Sequence, residues 1–317
     1  GECRWDRGGY FIIKGKERAI VSQMRGIYNR IIVLKIKSIS KFIMTSEMRS
    51  ISEGTAHSVL VKCALLKDQR SIVFCLPYVK DPIPAIAVLR FFIDDDTSIV
   101  DTVFPNGLES WGLLPGSPER RTLEYIMCSS TTAANMIGQS SLEILEYIGS
   151  KGLYAVRKNG RVLYAKQVLT HEMFPNMFKN DPVKGKKWII AAFIRKLLLT
   201  YVGKREIDDR DDFELKRIDS TGQLCTDLFR TLFKRFSNSI AVYLEKKKHR
   251  CPDAISFLSR LTLITKGMLY CFQTGNWGVR KSNYVRQGVS QVLSRLTSGA
   301  TISHLRRISI PAAKEGR

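Results

Sequence analysis

Hydrophobic patterning changes character along this chain, and the order of that change limits the folds open to it. The early part is built from short runs rich in β-branched and aromatic residues. Residues 8–22 place apolar runs on both sides of a Gly-containing turn and read as a hairpin, and 30–36, 58–66 and 70–76 read as further strands. From Pro82-Ile-Pro84 onward the period becomes helical. The two prolines open a short helix through Phe92, because a first turn accommodates Pro. Ser140 or Ser141 caps a helix over 142–148, with Leu142, Leu145 and Ile148 on one face and Gly149 ending it. A longer, mostly buried helix is expected over 186–202, with Trp188, Ile189, Phe193, Ile194 and Leu197 inward. Ser220-Thr-Gly-Gln223 has capping-box spacing. Leu224, Leu228, Leu232 and Phe236 then recur at four-residue steps beside Phe229, Phe233 and Ile240. Strands first and helices later predict an α+β fold of at least two modules, with linkers at 203–207 and 246–251.

Charge narrows the partners. The 317 residues carry 51 Lys and Arg against 29 Asp and Glu, a formal +22, which points to a polyanion, nucleic acid ahead of an anionic membrane surface. The longest apolar candidate for a span, residues 83–93, contains Arg90 and is about half of the roughly 20 residues a bilayer requires, so no membrane partner is expected. Seven cysteines, odd in number and without a Cys-x-x-Cys pair, read as reduced thiols of an intracellular protein rather than a disulfide framework or a zinc site. With no initiator Met and a strand close to Gly1, the chain reads as part of something longer.

Catalytic signals are absent. Phosphate-loop, dinucleotide, His-Glu-x-x-His and Gly-x-Ser-x-Gly patterns do not occur, and His57 and His171 read as structural residues. Asp94-Asp-Asp96 and the cluster at 208–212 supply hard oxygen ligands of the kind Mg²⁺ needs, but adjacent carboxylates on a strand diverge to opposite faces. A solvated loop is expected for the first. No catalytic residue and no metal ligand are assigned. Thr274-Gly-Asn-Trp-Gly278 makes a tight turn that presents an aromatic ring, either as a wedge between domains or as a base-stacking platform. The C-terminal tract is the best interface candidate: residues 278–317 hold eight Lys or Arg against the single acid Glu315. Within it Gln291, Arg295, His304, Arg306 and Arg307 offer donors to phosphates or base edges, with Val289, Val292, Leu293, Leu296 and Ile302 as anchors.

Several of these words resemble, in the same order, blocks of the second-largest subunit of multisubunit DNA-directed RNA polymerases. They are Gly8-Gly-Tyr-Phe-Ile-Ile13, Glu47-Met-Arg49, Leu76-Pro-Tyr-Val79, Leu163-Tyr-Ala-Lys166, Leu197-Leu-Leu199, Asp208-Asp-Arg-Asp211 with Lys216-Arg217, Thr274-Gly-Asn-Trp-Gly278 and Gly288-Val-Ser-Gln-Val-Leu293 with His304-Leu-Arg-Arg307. The resemblance implies the end of a protrusion domain at 1–20, a lobe at 21–203, returning protrusion at 204–250 and a truncated fork at 251–317. It implies DNA template, nascent RNA, the largest polymerase subunit and other polymerase subunits as partners. Mg²⁺ would belong to the full enzyme, held mainly by the largest subunit, with no cofactor on this chain and no activity of the chain alone. Contacts to nucleic acid would come from Gln291, Arg295, His304, Arg306, Arg307, Lys216 and Arg217, with a structural ion-pair role as the main reading of the 208–217 block. Arg307 is expected on the transcript side, and Arg306 bracing the loop through an ion pair. Ser309 completes a pattern similar to the drug-pocket wall of the bacterial β subunit. Ser294 stands where that pattern has an acid, and Pro311-Ala-Ala-Lys-Glu-Gly316 departs from the usual cellular loop, which suggests a divergent cellular or a viral enzyme. The location would be the nucleus, or a virion or cytoplasmic factory. The alternative is a stand-alone basic nucleic-acid-binding protein.

Overall fold

A computed structural model describes residues 3–36, 39–52, 58–68, 70–93, 96–153, 157–177, 184–246, 262–278 and 285–310. Its strands are β1 (Phe11–Ile13), β2 (Lys16–Ile20), β3 (Ser22–Gly26), β4 (Ile32–Lys35), β5 (Phe42–Ile51), β6 (Ser58–Leu66), β7 (Ile72–Cys75), β8 (Ile83–Pro84), β9 (Lys216–Asp219), β10 (Ser290–Val292) and β11 (Ile308–Ser309). Its α-helices are α1 (Ala85–Arg90), α2 (Asp96–Val103), α3 (Pro118–Asn135), α4 (Ser141–Ser150), α5 (Arg161–Gln167), α6 (Lys184–Tyr201), α7 (Thr221–Lys246), α8 (Leu263–Thr274) and α9 (Ser298–Leu305). The mixture of small sheets and helices is the α+β class expected. Two compact units result, one from 27–212 and one from 1–26 together with 213–317.

The 27–212 unit is an antiparallel five-stranded sheet in the order β4-β5-β6-β7-β8. Val59, Val61, Cys63 and Leu65 alternate inward along β6, the period-2 signature of a strand with one covered face. Helix α6 packs on β5 and β6, and α1 and α3 pack on β7. Phe193 is the pivot: its ring lies 5.8 Å from Phe74 and 5.5 Å from Phe174, and its carbonyl accepts from the buried Ser46 hydroxyl at 3.3 Å.

The other unit has two small sheets, β1-β2-β10 and β11-β3-β9, covered by α7 and α8. Lys14 (φ 50°) and Gly15 (φ 72°) form the two-residue left-handed turn that suits a hairpin's twist, so the hairpin read at 8–22 is present, pairing Phe11 with Arg18 and Ile13 with Lys16. Leu224, Leu228 and Leu232 are the buried stripe of α7 and meet Ile20, Phe272, Trp277 and Val289.

Where the structure departs from the sequence reading, packing explains the difference. Helix α4 has its capping box at Ser140 and Glu143, but Gly149 lies inside it; a Cβ there would stand 2.3 Å from the Arg161 carbonyl, so this glycine permits close approach to α5 rather than ending the helix. Leu142 is 66% exposed, and Ile144 joins Leu145 and Ile148 inward instead. Trp188 points outward at 53% exposure, whereas Lys186, two residues earlier and on the opposite side of the helix, is fully buried. Phe229 and Phe233 are about half exposed and stack on each other, and Gln223 donates forward to Asp227 at 3.0 Å. Segment 203–207 is no free linker, because Arg205 ties it to Thr200 and Asp208. Strands β3, β5, β8, β9, β10 and β11 and helices α2, α3, α5, α8 and α9 were not anticipated. His57, Asp94, Asp95, the basic tract at 247–250 and the departing loop at 311–317 lie outside the described residues; Asp96 begins α2.

Candidate nucleic-acid interface

The C-terminal tract is a clamp built around His304. Thr297 caps α9 by accepting from the Ala300 N–H at 3.1 Å, and the helix delivers His304 in its last turn. The buried ring accepts from the Ser294 N–H through Nδ1 at 3.1 Å, so the proton sits on Nε2, which donates to Gln291 Oε1 at 3.1 Å. Gln291 in turn donates to the Gly288 carbonyl at 2.9 Å, and Thr301 donates to the Ser294 carbonyl at 2.8 Å. Burial, with Arg307 next, pushes the His304 pKa below its ordinary value. Gln291 and His304 thus hold the backbone and are committed to each other.

Arg295 is equally committed. Its Nε and Nη2 fork onto Glu17 at 2.7 and 3.0 Å, Nη2 also reaches Asp6 at 3.0 Å, and the guanidinium lies 4.9 Å over the Tyr10 ring. The hydrogen bond to Glu17 is the main cause that raises its pKa further, and the same bond lowers that of Glu17. Asp6 is held low first by the Gly8 N–H and then by the Tyr10 hydroxyl. The tract's anchors divide: Val289 and Leu293 are buried, whereas Val292 and Leu296 are exposed, the latter at 89%.

Arg306 and Arg307 differ from all of these. Both are exposed where α9 gives way to β11, and among the described residues neither side chain has a hydrogen bond or ion pair. Cations at a helix C-terminus are locally favoured. Here they project from a backbone held by their N–H bonds to Ile302 and His304 carbonyls. Arg306 therefore lacks the bracing ion pair expected of it among the described residues. In β9, Lys216 is half-buried, while exposed Arg217 folds onto the Glu214 and Lys216 carbonyls at 3.1 and 2.7 Å.

One organising residue escaped the sequence reading. Asp219 is buried, with Arg25 at 2.8 Å on one oxygen and Arg286 at 3.1 Å on the other, and no spacing in the sequence links these three. The Trp277 ring, expected as a wedge or a platform, is buried: it lies 5.2 Å from Phe272, and its indole N–H ties this turn to α7 by donating to the Leu224 carbonyl at 2.9 Å.

In the 27–212 unit the 205–212 segment makes structural ion pairs. Arg205 holds Asp208 at 2.6 Å, and Glu47 receives Arg210 together with Lys62. Burial works against ionisation of Asp208, but Arg205 and the Val33 N–H hold its carboxyl below the ordinary value. Asp209 accepts from the Asp211 N–H at 2.9 Å. Among the described residues no group of three or more His, Cys, Asp or Glu is placed to hold a metal, and no helix is long and apolar enough to cross a membrane.

Comparison with known proteins places the chain. Residues 1–265 match the family model of the RNA polymerase beta subunit. Over its full length the chain is 33% identical to DNA-directed RNA polymerase II subunit 2 of Arabidopsis thaliana and 30% identical to a probable homologue of that subunit from Invertebrate iridescent virus 3, covering 27% and 30% of those proteins. It is 32% identical over 97% of its length to DNA-directed RNA polymerase subunit Rpo2 of Sulfolobus acidocaldarius, covering 26% of that chain. The chain spans under a third of the length of these relatives. As the ordered blocks at 8–13, 208–217 and 274–307 led us to expect, the chain belongs to the RNA polymerase beta subunit family.

Proposed function

We propose that these residues form part of the second-largest subunit of a DNA-directed RNA polymerase and meet the DNA template and the RNA–DNA hybrid near its active centre. Nucleotidyl transfer would belong to the assembled enzyme, with the largest subunit holding the Mg²⁺. The 27–212 unit would be the lobe, and the fork would follow the returning protrusion. Such an enzyme works in the nucleus, or in a virion or cytoplasmic factory where a virus encodes it.

The observation that carries the reading is the contrast within one tract: Gln291, Arg295 and His304 are spent on their own fold, while Arg306 and Arg307 stand exposed and uncommitted beside them. A guanidinium on a rigid backbone is preorganised for a phosphate or a base edge. In an assembled enzyme Arg307→Ala should weaken transcript retention or slow elongation several-fold without loss of assembly, because an exposed arginine contributes little to stability. Arg295→Ala should instead loosen the fold. Unchanged elongation and termination with lost assembly in Arg307→Ala would defeat the reading.

A further inference from the structure

The five-stranded sheet of the 27–212 unit ends in two edge strands, and the chain treats them differently. At one edge β8 is two residues long and includes Pro84, which has no N–H to offer a further strand. At the other edge, among the described residues, β4 pairs only with β5. Ile36 donates to the Ile43 carbonyl at 3.1 Å, so by strand alternation Ile32 and Leu34 also turn their backbone groups toward β5, while Val33 and Lys35 turn theirs away. Ile32 and Leu34 are only half-buried, and an apolar strand with outward N–H and carbonyl groups is a template for another strand. Asp208 stands in that place. One carboxylate oxygen accepts from the Val33 N–H at 2.8 Å, and the Asp208 N–H donates to the Val33 carbonyl at 3.1 Å, so a single residue takes both bonds a neighbouring strand would make there. Arg205 holds the other oxygen at 2.6 Å and is itself tied to the Thr200 hydroxyl at 3.2 Å and the Glu206 carbonyl at 3.3 Å. Gly203, at φ 79°, turns the chain out of α6 into this strap.

We propose that the strap 203–208 is an edge guard: Asp208 blocks β4 against pairing with the β4 of a second copy of this chain, and Arg205 keeps the guard closed. An antiparallel pair of identical strands is two-fold symmetric, so the exposed edge would need no other partner than itself. The guard depends on no reading of the nucleic-acid interface, which lies in the other unit.

The test uses the 317-residue chain at pH 7, with sedimentation velocity over a concentration series and amide exchange read at Val33. Asp208→Ala removes the side-chain acceptor, whereas Asp208→Asn keeps an acceptor in the same place and changes the net charge by the same amount. In dilute solution Asp208→Ala should speed exchange of the Val33 amide by about 10-fold, the equivalent of one lost hydrogen bond. It should also self-associate at concentrations about 10-fold below those needed by the parent or by Asp208→Asn. Adding Lys35→Pro to Asp208→Ala should return association to the parent's level, because proline removes an outward N–H that such a pair would use and takes no bond from β5. Equal association of Asp208→Ala and Asp208→Asn overturns the proposal, as does association that Lys35→Pro leaves intact, or an unchanged Val33 amide. If Asp208→Ala does not fold, Arg205→Ala takes its place: association at concentrations about 3-fold below the parent's is expected from a guard left loose, and association no stronger than the parent's overturns the proposal.

Discussion

Two buried bases show how single residues set conditions on this fold. Lys186 is fully buried and donates to the Leu169 and Thr170 carbonyls at 3.0 and 2.7 Å, inside the π-helical turn Val168–Glu172 that follows α5. Burial lowers its pKa from 10.5 to about 8, with Glu172 opposing. Below pH 8 the amine is charged in both folded and unfolded chains, and the fold bears the full cost of the buried charge. Between about 8 and 10.5 the folded state gives up the proton first, so this residue's contribution to stability rises with pH, by about 3 kcal/mol in all. Lys186→Met should remove that component: denaturant melts at pH 7 and pH 9.5 should show the variant's advantage shrinking as pH rises, and parallel pH dependences would sink the argument. His304 has the same sign in a more acidic window. Its folded pKa lies below 6.5, so its stabilising contribution is present above that value and lost as pH falls through the folded pKa. Nitrogen-15 spectra should show the Nε2–H tautomer at pH 7, and His304→Ala should cost about 1–3 kcal/mol by leaving the Ser294 N–H and the Gln291 Oε1 unpaired.

At the scale of elements, two glycines decide whether neighbouring segments can touch. Gly275 ends α8 in the left-handed region (φ 74°), and a Cβ there would stand 2.5 Å from the Ser290 carbonyl, where the chain approaches β10. Gly275→Ala combines backbone strain with a backbone clash and should destabilise its unit by more than 1 kcal/mol, whereas Gly222→Ala, near the start of α7 with nothing within 4 Å, should be neutral or slightly stabilising. Equal melting temperatures for the two variants would contradict this. The Gly275 turn and the α7 stripe were legible because each depends on local spacing. The misreadings are tertiary: Gly149 looked like a helix stop because nothing in sequence announces the Arg161 carbonyl beside it, and Trp188 looked inward because only the assembled core shows that Lys186 takes the buried position. Strand β5 hid because Thr45, Ser46 and Ser50, polar yet buried, break the alternation that reveals β6. Of the candidate interface residues, the sequence could show which carry donors but not which are already engaged, since the partners of Arg295, at Asp6 and Glu17, lie at the other end of the chain.

Across the whole molecule, continuity in sequence and completeness of a core part company. The 27–212 unit contains all five strands of its sheet and the helices that cover it. The other unit is discontinuous. Its sheet β1-β2-β10 takes two of three strands from the N-terminal segment, and β3 is the central strand between β11 and β9. The buried Asp219 completes the dependence by pairing with Arg25 from that segment as well as with Arg286. Removing one partner of a buried ion pair costs about 3–5 kcal/mol, because a desolvated charge is left behind. Residues 27–212 produced alone should therefore unfold cooperatively with protected amides in β5 and β6. Residues 213–317 alone should lack a cooperative transition, and adding a peptide of residues 1–26 should restore part of it by supplying β1, β2 and β3. Asp219→Ala in the full chain should lower the transition of the discontinuous unit while leaving that of 27–212 in place. Calorimetry checks both: one merged transition that shifts as a whole in Asp219→Ala, or a stably folded 213–317, would mean that the N-terminal strands are not what completes this core.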